Sequence, residues 1–149
     1  IIMENLHDLM INKKLTISTV ESCSGGLLGS YLTNIPNSSK YYMGGVIAYN
    51  SSVKSQLLNI PEDMEFVSEK CVVLMNIGLK KLIKSDIHVS ISGYLGPNVY
   101  KSSLQGLVFY SISYLDIDHI VNLKIGNIDR VLSKEFIVSN IINKLCEII

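Results

Sequence analysis

Along this chain, short apolar segments with the two-residue periodicity of strands are followed by longer segments with helical periodicity. This order of strands and helices limits the possible folds. The segments 15–20, 44–49 and 87–92 predict strands, and helices are predicted over 3–13, 25–34, 51–58 and from Ser68 onward. Segments 106–114 and 117–125, joined by a turn around Asp116, predict an antiparallel pair, and a last helix is predicted from Asp129 to Cys146. We expect an α/β protein: a three-layer α/β/α sandwich with a mixed, mostly parallel sheet of about five strands.

Length and charge exclude several classes of protein. With 149 residues, 48% of them hydrophobic, the chain is long enough for a single domain over 1–149 with one core. Thirteen basic and thirteen acidic residues give zero net charge, so we predict no nucleic-acid partner. No apolar run approaches the roughly 20 residues of a membrane span, and the first residues lack the pattern of a signal peptide. No membrane association is therefore expected.

The cysteines and histidines do not form a pattern that binds metal. Cys23, Cys71 and Cys146 are an odd number, lie far apart and lack C-x-x-C spacing, which disfavours a disulfide framework and predicts a reducing, cytoplasmic setting. No two of the three histidines stand at ligand spacing, so we predict neither a metal nor another cofactor.

Two glycine-containing turns follow predicted strands. The first, "ESCSGG" over 21–26, leaves backbone N–H groups open at the start of a helix and suits a phosphate. An ordinary tight turn with Ser24 as the helix cap fits the same residues equally well, and the glycine motifs of dinucleotide and P-loop sites are absent. The second turn, "SGYLGP" over 92–97, follows another strand. Turns at the carboxyl ends of neighbouring strands converge on one crevice, the usual ligand position in such sheets.

The segment "NSSKYYMGGVIAYNSSVK" carries the candidates for chemistry. A hydrolase without a metal needs a nucleophile and a base, and a lysine serves as the base when it is held neutral. Tyr49 and Lys54 stand where a strand ends and a helix begins, and Ser39 precedes the same strand. Three alternatives stay open: Lys54 as an ordinary surface lysine with Ser51 as the helix cap, Ser51-x-x-Lys54 as a nucleophile motif without its usual partner motifs, and Cys23 as the nucleophile.

An ordered set of motifs extends over almost the whole chain. "TVESCSGGLLGSYLT", "NSSKYYMGGVIAYNSSVKSQLLNI", "VSE", "VSISGYLGP" and "GLVFY" resemble the CinA C-terminal domain family, the nicotinamide-nucleotide amidases. The resemblance implies a single domain of this kind over 1–149. It also implies a hydrolase that converts nicotinamide mononucleotide and water to nicotinate mononucleotide and ammonia, in pyridine nucleotide salvage, without a metal.

The resemblance also implies roles for particular residues. By position, the catalytic serine is Ser39, and Tyr49 and Lys54 form or assist its base. The substrate-binding residues that the resemblance implies are Glu21, Ser22, Cys23, Ser24, Gly25, Gly26, Ser92, Gly93, Gly96 and Arg130. Members of the family commonly associate, so a homodimer or higher homo-oligomer is expected, and the apolar C-terminal segment "IINKLCEII" is a candidate shared surface.

One segment departs from the family pattern. In "GPNVYKSSLQG" the expected glycines and proline after Pro97 are replaced, and the bulky Val99 and Tyr100 stand where a ligand would approach the backbone. Because the segment 98–105 differs, two further interpretations stay open. The chain is then a non-catalytic nucleotide-binding or interaction module, or an amidase for another small amide.

Overall fold

The computed structural model describes residues 1–97, 101–126 and 128–149. The strands are β1 (Ile17–Glu21), β2 (Tyr42–Ile47), β3 (Ile87–Gly93), β4 (Leu107–Tyr114) and β5 (Ile117–Lys124). The α-helices are α1 (Glu4–Lys13), α2 (Leu27–Leu32), α3 (Ser51–Leu58), α4 (Glu69–Leu82) and α5 (Arg130–Ile148), and short 3-10 turns cover Ser38–Lys40 and Ser102–Leu104.

The strands form one five-stranded sheet in the order β2-β1-β3-β4-β5. β1 pairs in parallel with both β2 and β3, whereas β3–β4 and β4–β5 are antiparallel. Four of the strands therefore point the same way, and the predicted mixed, mostly parallel sheet is confirmed. In the register of the sheet Glu21 lies beside Ile47 and Ile91, so the carboxyl ends of β1, β2 and β3 meet at one edge.

Helices cover both faces of the sheet. On one face the apolar sides of α1, α2 and α5 pack against the strands, with Leu6, Leu28 and Ile137 fully buried. On the other face α3 and α4 enclose a second cluster that includes Leu58 and Met75. All five residues of β1 are buried between these layers. The three-layer α/β/α architecture is as predicted.

Two predicted boundaries differ from the structure, and the backbone conformation explains the first of them. Helix α2 begins at Leu27 instead of residue 25, because Gly25 and Gly26 have φ values of 63° and 103°, in the left-handed region that glycine tolerates. Strand β2 begins at Tyr42, two residues before the predicted start, and ends at Ile47.

The apolar C-terminal segment is not a free surface. Ile141, Ile142 and Leu145 are buried in the chain's own core, in the cluster that also holds α1. The segment proposed above as a shared surface is therefore satisfied within one chain, and the expected homo-oligomer stays a prediction without that support.

Candidate functional site

A cleft of about 530 Å³ lies at the sheet edge where β1, β2 and β3 end. The chain leaves β1 through α2 on one face of the sheet and leaves β2 through α3 and α4 on the other, which opens a crevice above the strand ends. The cleft is lined by Ser22, Cys23, Tyr49, Ser51, Lys54, Phe66, Val67, Gly93, Tyr94, Leu95, Gly96, Pro97 and Arg130.

Lys54 reaches the cleft because of how α3 begins. The side chain of Asn50 caps the helix by accepting the N–H of Ser52 at 2.9 Å, which places Lys54 and Leu58, one turn apart, on the buried face. Lys54 is only 5% exposed, and within the described residues its amine makes no hydrogen bond or ion pair. Its Nζ lies 5.5 Å from the centroid of the Phe66 ring.

The surroundings of Lys54 favour its neutral form. Burial lowers the pKa of the amine below its usual value, and the nearby thiols Cys71 and Cys23 offset this only in part. A lysine amine that loses its proton more readily can accept a proton from a hydroxyl group. The cleft therefore holds a candidate general base.

Ser22 and Cys23 follow β1 directly and present a hydroxyl and a thiol to the same cleft. The N–H of Ser22 donates to the carbonyl of Ile91 at 3.1 Å, and its Oγ donates to the carbonyl of Tyr49 at 3.5 Å. Burial raises the pKa of the Cys23 thiol to about 12, which keeps it protonated and disfavours Cys23 as the nucleophile. A Cβ on Gly93 would lie 2.7 Å from the Val108 Cγ2 and 3.1 Å from the Cys23 Sγ, so a side chain there would displace its neighbours.

Arg130 and Tyr49 close one side of the cleft. Arg130 opens α5, and its Nη1 donates to the carbonyl of Gly96 at 2.5 Å while its Nη2 donates to the Tyr49 hydroxyl at 2.9 Å. The phenol therefore contacts the guanidinium, and no hydrogen bond joins it to Lys54 within the described residues. Seven of the predicted site residues thus line one cleft: Ser22, Cys23, Tyr49, Lys54, Gly93, Gly96 and Arg130.

The predicted phosphate cradle at "ESCSGG" is already occupied by a side chain of this protein. The Glu21 carboxylate, 2% exposed, accepts the N–H groups of Leu28 and Gly29 at 2.9 and 3.0 Å and the Ser24 hydroxyl at 2.7 Å. Glu21 and Ser24 therefore fix the start of α2 and do not face the cleft. Gly25 and Gly26 provide the turn and do not line the cleft either.

Removal of the Glu21 carboxylate should destabilise the fold. We expect Glu21→Ala to lower the free energy of unfolding by about 3 kcal/mol, because it leaves buried N–H and O–H donors unsatisfied. Glu21→Gln should also destabilise, since its amide nitrogen is a donor and replaces one of the two oxygens that accept the N–H groups of Leu28 and Gly29. Urea denaturation measures these changes. Glu62→Ala, at an exposed position, is the control with an expected change below about 0.5 kcal/mol, and an equal loss in both alanine variants would contradict the role of Glu21.

Ser39 does not share the cleft with Tyr49 and Lys54. It lies exposed in the 3-10 turn Ser38–Lys40 that precedes β2, whereas Tyr49 and Lys54 follow the other end of that strand. Six strand residues at about 3.3 Å each place these ends about 20 Å apart. The predicted grouping of Ser39 with Tyr49 and Lys54 is therefore not found within the chain, because a residue before a strand and one after it lie at opposite edges of the sheet.

Ser92 is the remaining predicted residue outside the cleft, and several lining residues were missed. Ser92 is buried and donates its hydroxyl to the carbonyl of Phe66 at 2.6 Å, so it anchors the segment before α4. The missed residues that line the cleft are Phe66, Val67, Tyr94, Leu95 and Pro97. Val67 is the first residue of the quoted "VSE" motif but was given no role, and no pattern indicated Phe66. Val99 and Tyr100, named above for the altered segment, lie outside the described residues.

The described residues contain neither a metal-binding cluster nor a helix suited to span a membrane. Over 1–97, 101–126 and 128–149, no group of three or more His, Cys, Asp or Glu side chains is arranged to hold a metal ion. In the same ranges, no helix combines the length and the apolar character that crossing a bilayer requires.

The fold and the cleft define an α/β/α domain with a candidate small-molecule site at the switch point of its sheet, and comparisons with known proteins place it further. The family model of the CinA C-terminal domain matches residues 1–149. The chain belongs to the CinA family.

Individual relatives agree with this assignment. A CinA-like protein of Thermotoga maritima is 45% identical over 94 residues, which cover 60% of this chain but only 23% of that protein. The Mycoplasma pneumoniae protein named "Protein MG115 homolog" is 36% identical over 111 residues, 72% of this chain and 71% of that protein. The chain thus spans about a quarter of the longer relative.

Solved structures match the fold closely. The competence damage-inducible protein A of Klebsiella pneumoniae superposes with a TM-score of 0.91 at 23% identity, covering 98% of this chain and 93% of the other. A competence or damage-inducible protein of Enterobacter asburiae gives a TM-score of 0.90, also at 23% identity, covering 97% and 94% of the two chains. These likenesses show the architecture of the chain.

Proposed function

We propose that the chain is an amidohydrolase that uses Ser22 as nucleophile and Lys54 as base, with nicotinamide mononucleotide as substrate. One observation carries the proposal: a buried lysine amine that makes no hydrogen bond or ion pair among the described residues, with its pKa lowered by burial, lines the same cleft as the Ser22 hydroxyl. The resemblance of the sequence motifs to nicotinamide-nucleotide amidases supplies the substrate. A cleft of about 530 Å³ suits a mononucleotide.

The reaction would proceed through an acyl-enzyme. The Ser22 Oγ attacks the carboxamide carbon while the neutral Lys54 amine takes the hydroxyl proton. Lys54 returns that proton to the leaving nitrogen, and the C–N bond breaks to release ammonia. A water molecule then attacks the ester, Lys54 takes its proton and passes it to the Ser22 Oγ as the ester C–O bond breaks. The product is the carboxylic acid, nicotinate mononucleotide, and the free enzyme returns.

The two backbone N–H groups that follow Ser22 in the chain are candidates for stabilising the oxyanion. The N–H groups of Cys23 and Ser24 donate to no backbone carbonyl within the described residues, and both follow the proposed nucleophile directly. Each such donor contributes about 3 kcal/mol to the transition state when it is well aligned. We propose that these two groups bind the oxygen of the tetrahedral intermediate.

The cellular compartment of the protein is inferred from its cysteines. Cys23, Cys71 and Cys146 are all free thiols, and a reducing compartment keeps them so. We therefore propose that the protein works in the cytoplasm.

The test is an assay of ammonia release from nicotinamide mononucleotide by the purified chain, with nicotinate mononucleotide followed by chromatography. We expect both products in equal amounts and in proportion to enzyme concentration. Ammonia without nicotinate mononucleotide would indicate a contaminant, and release of neither product by folded protein would contradict the proposed activity. A panel of other small amides then tests the alternative substrate class.

A non-catalytic nucleotide-binding role is the second candidate. It is favoured by the Ser22 hydroxyl, which donates to the Tyr49 carbonyl, while no hydrogen bond links Ser22 to Lys54 within the described residues. Calorimetric binding of nicotinamide mononucleotide without turnover would support this role, and steady ammonia release would exclude it.

A further inference from the structure

Arg130 has the properties of an anion-binding residue, with a fixed guanidinium that still has N–H groups for a ligand. It is the single arginine of the sequence, and it lines the cleft from the first position of α5. Two of its five N–H groups donate to the Gly96 carbonyl and the Tyr49 hydroxyl, which fix the guanidinium plane. Within the described residues it forms no ion pair, so its charge and three N–H groups remain available.

The backbone N–H groups of Leu28 and Gly29 are not available to a phosphate. Glu21 occupies the N–H groups at the start of α2, so a phosphate there would meet a carboxylate that is already hydrogen-bonded. Among the described residues that line the cleft, Lys54 and Arg130 are the two cationic types. Lys54 has to be neutral to act as base, and this leaves Arg130 for an anion.

The neighbouring carboxylate of Asp129 forms no ion pair with Arg130 within the described residues. Asp129 precedes it in the chain, but its Oδ1 accepts the N–H of Leu132 at 2.8 Å and caps α5. Arg130 also lines a second cavity of about 240 Å³, which lies along the same Gly96–Pro97 segment and includes Gln105. The guanidinium therefore borders both spaces, and a ligand longer than an amide ring can reach it from the first cavity.

We infer that Arg130 is the specificity-determining residue of the site: it binds the phosphate of a mononucleotide whose carboxamide points to Ser22 and Lys54. This inference rests on the proposed function for the orientation of the ligand. Arginine suits the task, because its planar N–H groups bind two phosphate oxygens at once, which lysine cannot do. Tyr49 is then a positioning residue that holds the guanidinium, instead of an assistant to the base.

The experiment is calorimetric titration of the full chain with nicotinate mononucleotide and with nicotinate riboside, which lacks the phosphate. Neither compound carries the scissile amide, so binding is measured without turnover. We expect Arg130→Gln to weaken binding of the mononucleotide at least tenfold and binding of the riboside less than twofold. Arg130→Lys should give an intermediate loss. Lys134→Gln, which removes one positive charge from the same helix outside the cleft, is the control and should change neither affinity.

Tyr49→Phe tests the positioning role. It removes one of the two bonds that hold Arg130, so we expect a loss of about threefold for the mononucleotide, no loss for the riboside, and no added loss when Arg130→Gln is already present. Additive losses would contradict the positioning role.

Other outcomes separate this inference from the proposed chemistry. Equal weakening of both compounds by Arg130→Gln, no weakening, or equal affinity of both for the unmodified chain would overturn the inference. Arg130-dependent binding of nicotinate mononucleotide by a protein that releases no ammonia would remove the proposed activity and support this inference. Ammonia release by Arg130→Gln with an unchanged KM would support the proposed activity and contradict this inference.

Discussion

Ser22→Ala should reduce kcat/KM for ammonia release from nicotinamide mononucleotide at least about 10³-fold, because it removes the attacking oxygen. Ser39→Ala should leave kcat/KM within twofold of the unmodified protein. Both variants replace a serine hydroxyl by hydrogen, at positions on opposite edges of the sheet. The comparison therefore decides between the nucleophile that the cleft supports and the one that the sequence resemblance implied.

Each variant has a second readout that guards against misfolding. Ser22→Ala should keep its affinity for nicotinate mononucleotide within threefold, since the phosphate contact proposed for Arg130 is untouched. Its urea denaturation midpoint should also stay close to that of the unmodified protein. An active Ser22→Ala together with an inactive Ser39→Ala would remove Ser22 from the mechanism, and would require Ser39 to reach the cleft from a second copy of the chain.

The fold could be predicted from the sequence because its signals are local and repeated. Strand-like alternation, the Ser68 cap of α4 and the short turn at Asp116 each act within a few residues, and together they permit one layer arrangement. The start of α2 moved from residue 25 to Leu27, because Gly25 and Gly26 form a turn with positive φ values.

The site could be predicted only in part, because a sequence does not show which side chains satisfy one another. Tyr49 and Lys54 line one cleft, as expected from their place where a strand ends and a helix begins, whereas Arg130 was named only through the family resemblance. The buried carboxylate of Glu21 was misjudged because its three donors lie three to eight residues further along the chain and meet it only in the folded turn. Phe66 belongs to a connection, where no periodic pattern indicates orientation.

The position of Ser39 shows a second limit. Ser39 and Tyr49 were expected to lie close together in space because their motifs are close in the sequence, although strand β2 separates them. The same topology places Ser22 in the cleft, because β1 ends beside the ends of β2 and β3. Parallel pairing, which joins residues far apart in sequence, is the information that local patterns do not contain.

Lys54→Met should abolish ammonia release, with a loss in kcat of at least about 10³-fold, because the described residues that line the cleft include no histidine, aspartate or glutamate to take the Ser22 proton instead. In the unmodified protein kcat should rise with pH through the lowered pKa of Lys54 and then level off, since only the neutral amine accepts a proton. Stopped assays across this range measure the profile. Lys81→Met, at an exposed position of α4, is the matched control and should retain the full profile.

Lys54→Met should leave the fold intact or stabilise it, so a loss of catalysis in this variant can be told apart from a loss of structure. Methionine matches the length of lysine and removes a buried amine that has no partner among the described residues, and such changes raise the free energy of unfolding by about 1 kcal/mol. Because the folded-state pKa lies below the ordinary value of 10.5, the unfolded chain binds more protons between the two values. Stability of the unmodified protein should therefore rise with pH in that interval. Lys54→Met should lose this rise, and a variant that is both active and equally pH-dependent in its unfolding would show that Lys54 is neither buried nor the base.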